Sequence, residues 1–250
     1  MPDSRPATQQ RAAASPDFIL PANEPPTAPP LPSEPSAAAP SKPSGGWHLT
    51  LLLLAAIALT VAFIDDAAAV AYFSKDKSDA AGSVASAVST YGDWPPLAGL
   101  LVVIFGISVA GKNRRVGRIV LVIFVATVLA GASASALRLL TGRTRPSAAG
   151  KVAPGWHGPH LGSFKYCSFP SAHTSVIAGG AAALMVLVPW GAIPGVALVG
   201  LMAWARMRTG AHHLSDVVAG AILGSLLGAW VVRRVPLAWP PERWFARKGR

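Results

Sequence analysis

Val116–Pro146 reads VGRIVLVIFVATVLAGASASALRLLTGRTRP. Val116–Leu140 carries no acidic residue, and its 25 residues exceed the roughly 20 that a helix needs to cross the hydrocarbon core of a bilayer. Lipid offers no hydrogen-bond partners, so such a run is stable across a membrane only as a helix that satisfies its own backbone. Arg138–Pro146, R-L-L-T-G-R-T-R-P, then sets three arginines, a glycine and a proline against the end of that run. A spanning helix that ends in a cationic, irregular segment is the unit from which the rest of the chain can be read.

Five further apolar segments, at about 47–64, 95–111, 172–188, 190–205 and 213–232, repeat the first half of that unit. Pro, Gly and charge gather between them. The sequence therefore predicts an all-α fold, a six-transmembrane helical bundle over 47–235. Residues 1–46 hold 12 of the 23 prolines. They cannot bury enough apolar surface to offset ordering, which predicts a disordered tail, and no apolar core for a cleavable signal peptide is expected there. Residues 236–250 read as a basic C-terminal tail. Only 13% of residues are charged, 52% are hydrophobic, and the single cysteine, Cys167, excludes an intrachain disulfide. The net charge of +11 lies at span ends and not on an aromatic-studded stripe, which argues against nucleic acid.

Charge also predicts orientation. Lys112, Arg114, Arg115 and Arg118 crowd one short link, and Arg233, Arg234, Arg243, Arg247, Lys248 and Arg250 follow the last segment. The positive-inside rule puts both in the cytoplasm, and with six crossings the two assignments agree. Both termini are then cytoplasmic, and 65–93, with five Asp against two Lys, is an outward link. Trp47, Trp94, Trp190, Trp204 and Trp230 fall near predicted span ends, as an aromatic belt would place them.

The same parity sends three polar segments to the outer side: Arg138–Pro146, Pro170-Ser171-Ala172-His173, and Arg206–Asp216, R-M-R-T-G-A-H-H-L-S-D. Arg138 and Arg145 are two helical turns apart and would share a face if the helix continued that far; Arg143 would point elsewhere. Guanidinium forks bind phosphate oxygens in pairs, although a basic cluster alone equally suits lipid headgroups. Pro170 and Ser171 suit a helix start, where His173 would meet the positive end of the dipole; on those four residues alone a plain cap is the simpler reading. Asp216 is the one acidic residue between Trp94 and Pro241, and on a helix it would share a face with His212. A carboxylate on one imidazole nitrogen frees the other to attack. The alternative is a structural ion pair of Asp216 with Arg206 or Arg208. His213 would face away and reads as structural. The histidines lack ligand-like companions, so neither metal nor cofactor is expected.

Together these residues resemble the type-2 phosphatidic acid phosphatase and vanadium haloperoxidase superfamily, whose pattern is K-x6-R-P, P-S-G-H and S-R-x5-H-x3-D. Arg138 stands at the Lys position, Ala172 at the Gly position and Ala205 at the Ser position; the other motif residues match. Arg138 keeps the charge and changes its reach. Ala172 is mild unless that backbone needs positive φ, and Ala205 loses one hydroxyl. The resemblance implies a phosphohistidine mechanism in an integral-membrane lipid phosphatase. His212 would be the nucleophile, oriented by Asp216, and His173 the acid and base. Arg138, Arg145, Arg206, Ser171 and the Ala172 N–H would bind phosphate. It implies a bacterial inner-membrane location with a periplasmic or outer-face site. The partners would be membrane lipids and a lipid phosphate or diphosphate: polyprenyl diphosphate, phosphatidylglycerol phosphate, phosphatidic acid or lipid A phosphate. No obligate protein partner is readable. Haloperoxidase chemistry is disfavoured in a chain built for lipid. A phosphotransferase using the same histidine, or a catalytically silent lipid-binding protein, is the alternative.

Overall fold

Helix α6 (Ala172–Leu187) lies between α5 (Arg114–Thr141) and α8 (Leu214–Arg234), and the three interlock through missing side chains. A Cβ placed on Gly220, Gly224 or Gly228 of α8 would strike the carbonyl oxygens of Ser171, Ser175 and Gly179 in turn. The shared four-residue step means that α6 and α8 run parallel with their backbones in contact, the small-residue packing that apolar solvent favours. Against α5, Ser175 Oγ donates to the Ala130 carbonyl at 3.1 Å, and a Cβ on Gly179 would meet Ala126 and Ala130. Here α5 runs antiparallel. The C-terminal end of α5 and the N-terminal ends of α6 and α8 thus meet at one end of the bundle.

The computed structural model describes residues 46–73, 79–235 and 244–245, without the side chains of 46–48. The tails expected over 1–46 and 236–250 fall outside the described residues, save Gly46, Trp244 and Phe245, and so does the Trp47 side chain. Helices α1 (Gly46–Ile64), α2 (Asp66–Phe73), α3 (Ala80–Tyr91), α4 (Trp94–Ala110) and α7 (Ala192–Arg208) complete the fold, and no strand forms among the described residues. All six predicted apolar segments are helical. Leu51, Leu52, Leu53, Leu54, Ile193 and Val196 leave more than half of their surface bare, as lipid-facing side chains do.

Three helical stretches are long and apolar enough to cross a membrane by themselves: 114–141, 189–208 and 214–234. Counting each of two bent pairs as one span gives up to five, and α6, with 16 residues, is apolar but shorter.

The link over 65–93 is not the plain loop that its charge suggested. It contains α2 and α3, bent by 61° from α1 and by 58° from α4 respectively. Its aspartates start helices: Asp66 opens α2, Asp79 accepts from Gly82 N at 2.6 Å to cap α3, and Asp93 accepts from Trp94 N at 2.8 Å to cap α4. A second expectation also fails. Helix α5 ends at Thr141, because Gly142 takes φ 59° and a Cβ there would run into the carbonyl oxygen of Gly158. Only glycine closes the helix this way cheaply.

Candidate active site

Gly142 turns the chain out of α5, so Arg138 stays on the helix while Arg143 and Arg145 sit on the irregular segment after it. Arg138 and Arg145 therefore share no helical face. They are brought together by a cavity of about 530 Å³ that both line, with Arg206 from α7, Ala172 and His173 from the start of α6, and Asp93. Ala172 has no positive φ, so the missing glycine strains nothing. Arg145 donates from Nε and Nη2 to the Cys167 carbonyl, both at 3.3 Å. Burial, and then Arg138, hold the Arg145 pKa below its ordinary value. Arg138 and Arg206 each bury an Nε with no hydrogen-bond partner among the described residues. Three guanidinium groups converging, two of them with a buried donor unmet among the described residues, make a site suited to an anion. The N-terminus of α6 adds its positive dipole end.

His212 lies outside that lining, 1% exposed, in the turn between α7 and α8. Helix α8 begins two residues later, so the His212–Asp216 pairing is not one helical face. It arises from a cap: His213 N donates to Asp216 Oδ2 at 2.8 Å, which folds the third helical residue back over the turn. His212 Nδ1 is 3.7 Å from Asp216 Oδ2, too long for a hydrogen bond, and donates at 2.8 Å to the Ser168 carbonyl. A carbonyl only accepts, so the proton is on Nδ1 and Nε2 carries the lone pair. That Nε2 is buried with no partner among the described residues. Burial pushes the His212 pKa down to about 4, against the nearby negative charge of Asp216, which favours the proton. The ring is a neutral base at ordinary pH.

Asp216 is wholly buried, and the arginine paired with it among the described residues is neither Arg206 nor Arg208. Arg208 donates to Asp79 at 2.8 Å. The partner of Asp216 is Arg143, whose Nη1 donates to Oδ1 at 2.5 Å and whose Nη2 donates to Asp66 Oδ2 at 2.7 Å. Ser168 Oγ donates to Asp216 Oδ2, and Ser215 donates N and Oγ to Asp66 at 2.8 and 2.6 Å. Trp156 and Phe63 hold the Arg143 guanidinium from their ring faces, at 4.9 and 5.4 Å. His213 Nδ1 is 3.1 Å from Asp216, so it touches the carboxylate and does not face away. Ser171 is fully buried and caps α6: its Oγ accepts from Thr174 N at 3.4 Å and Thr174 Oγ1 at 3.0 Å. Its own N donates to the Asp216 carbonyl at 2.9 Å, which ties the starts of α6 and α8 together.

Asp66, Arg143, Ser168 and Ser215 had no motif to announce them as a group, and Asp93 beside His173 was read only as loop charge. Among the described residues, no group of three or more His, Cys, Asp or Glu side chains is placed to hold a metal ion.

Over 127 residues, 49% of its length, the chain is 32% identical to proteins named lipid A 1-phosphatase from Rhizobium johnstonii and Rhizobium etli. The match covers 52% and 55% of those proteins, so the chain spans about half the length of the curated relatives it matches. A solved structure, described as the first transmembrane PAP2 type phosphatidylglycerolphosphate phosphatase from Bacillus subtilis, shares the fold. It is 22% identical, with a TM-score of 0.50, over 73% of this chain and 92% of that one. With those helices and that fold, this is an integral membrane protein. Residues 119–240 match the sequence profile of the PAP2 superfamily.

Proposed function

We propose that the chain is a membrane lipid phosphatase that works through a phosphohistidine. The bundle crosses the membrane six times, with both termini cytoplasmic and the site on the outer face. His212 Nε2 attacks phosphorus while the bond to the leaving oxygen breaks, and His173 gives that oxygen a proton. His173 then takes a proton from water as the water oxygen attacks phosphorus. The N–P bond breaks, and inorganic phosphate leaves. Arg138, Arg145 and Arg206 hold the phosphate oxygens and offset their charge in the transition state, with Ser171 and the Ala172 N–H beside them. The Ser168 carbonyl fixes the His212 tautomer, and Asp216 stabilises the charge that develops on the ring.

One observation carries the reading: three arginines converge beside His173, two of them with a buried Nε unmet among the described residues, while His212 keeps a bare, buried Nε2. The names of the Rhizobium relatives favour a glycolipid phosphate such as lipid A 1-phosphate among the candidate lipids. The test is phosphate release by purified protein in detergent. The substrates are lipid A, phosphatidylglycerol phosphate, phosphatidic acid and polyprenyl diphosphate, with and without chelator. Wild type should release phosphate from at least one, and His212→Ala from none. Rapid quenching should trap an acid-labile, alkali-stable phosphoenzyme in wild type alone. Transfer to an added alcohol with no release to water would favour the transferase, and silence on every substrate would end the enzyme reading.

A further inference from the structure

Asp93 stands at the corner between α3 and α4. Its backbone is extended, with φ −71° and ψ 160°, and its Oδ1 accepts from Trp94 N at 2.8 Å, so the cap of α4 pins the carboxylate. The same Oδ1 lies 3.1 Å from His173 Nε2. Both residues line the arginine cavity, and Asp93 is the one carboxylate among its lining residues. Besides Asp93, the groups whose charge reaches His173 are Arg206 of α7, His212 before α8 and Arg138 of α5. All of these are cationic or neutral. An imidazolium in such company needs a negative charge beside it, and Asp93 is the group placed to supply one.

We propose that Asp93 is the positioning residue for His173, holding its ring and balancing its charge while it carries the proton for the leaving oxygen. The inference rests on the reading of His173 as the acid. Asp93 touches the imidazole and not the phosphorus, so it acts through His173. No atom is transferred to it: the proton passes from His173 to the leaving oxygen, and a proton from water restores it.

General acids matter in proportion to how badly the leaving group needs a proton. That gives a readout which a merely structural role would not move. Asp93→Asn and Asp93→Ser remove the charge and keep a helix-capping side chain, so α4 retains its start. Each variant, wild type, His173→Ala and Asp93→Asn/His173→Ala are assayed on two monoesters. One is a lipid phosphate with an alcohol leaving group, and the other is 4-nitrophenyl phosphate, whose leaving phenolate needs no proton.

On the lipid, both Asp93 variants should lower kcat/KM about 10²-fold, because that ratio reports phosphoryl transfer to His212 and not the later water step that both esters share. On the nitrophenyl ester kcat/KM should fall less than about threefold. The double variant should be no slower than His173→Ala alone. Equal losses on both esters, no loss on either, or fully multiplicative losses in the double variant would overturn the role of Asp93 and leave the phosphatase reading standing. If wild type hydrolyses neither ester, the phosphatase reading falls and this one with it.

Discussion

The two sides of the site differ in how completely their polar atoms are met. Around Asp216, each carboxylate oxygen has a donor, Arg143 is shared between two carboxylates and two aromatic rings, and Ser168 and Ser215 fill the remaining positions. At the cavity, Arg138 and Arg206 bury Nε groups with no acceptor among the described residues, and beyond its lining His212 buries a bare Nε2. A closed buried network costs little and fixes geometry, whereas an open one is costly until a ligand completes it. The contrast separates the side whose buried polar atoms are met from the side where some are not. Fold stability and phosphate affinity should therefore respond to different residues.

The closed side should break hardest. Arg143→Leu strands Asp66 and Asp216 without their shared cation, and losing one partner of a buried pair costs about 3–5 kcal/mol. Thermal unfolding in detergent should show a large fall in Tm, and adding Asp66→Asn should recover part of it. Asp216→Asn should lower phosphate release by about 10³-fold or more, since a carboxylate that stabilises a catalytic imidazolium contributes on that scale.

On the open side the signs should differ. Arg206→Met should cut kcat/KM by about 10²-fold, the scale of a lost transition-state donor. It should also raise Tm by about 2–4 °C, the shift for a gain near 1 kcal/mol. A fall in both would erase the contrast. Acid should find the His212 ring late: with its pKa near 4 against an ordinary 6.5, the acid limb of kcat/KM due to His212 should sit near pH 4. For stability the sign is opposite to that of a salt-bridged histidine. Between pH 6.5 and about 4 the unfolded chain takes up a proton that the folded chain refuses, so Tm should fall as pH drops through that window. Ser171→Ala should cost least, about 1 kcal/mol for a lost cap. A KM left unchanged by it would remove Ser171 from the phosphate set.

Much of this was legible in the chain. Six apolar runs gave the long helices, because lipid permits few other backbones, and three short motifs named the residues that the cavity and its surroundings bring together. What escaped reading shares a physical cause. Arg143 meets Asp66 across 77 residues and Asp216 across 73, contacts that no local spacing encodes. Helices α2 and α3 were hidden because their aspartates looked like solvent-facing charge, when Asp79 caps α3 and Asp66 is buried against Arg143 and Ser215. The His212–Asp216 spacing suggested a helix face, whereas a capping box and a main-chain carbonyl position the ring. Asp93 was visible as a charge, but its partner His173 lies on another helix.

The glycine notches between α6 and α8 carry one more consequence. Each notch seats a carbonyl oxygen, and the notches recur every four residues. These two helices therefore cannot slide past each other by a fraction of a turn. A shift moves them by a full step of about 6 Å or not at all. His173 rides on one and Asp216 on the other, so their axial register is ratcheted. Gradual adaptation to differently shaped headgroups has to come from the opposite wall, where α4 and α5 face the cavity.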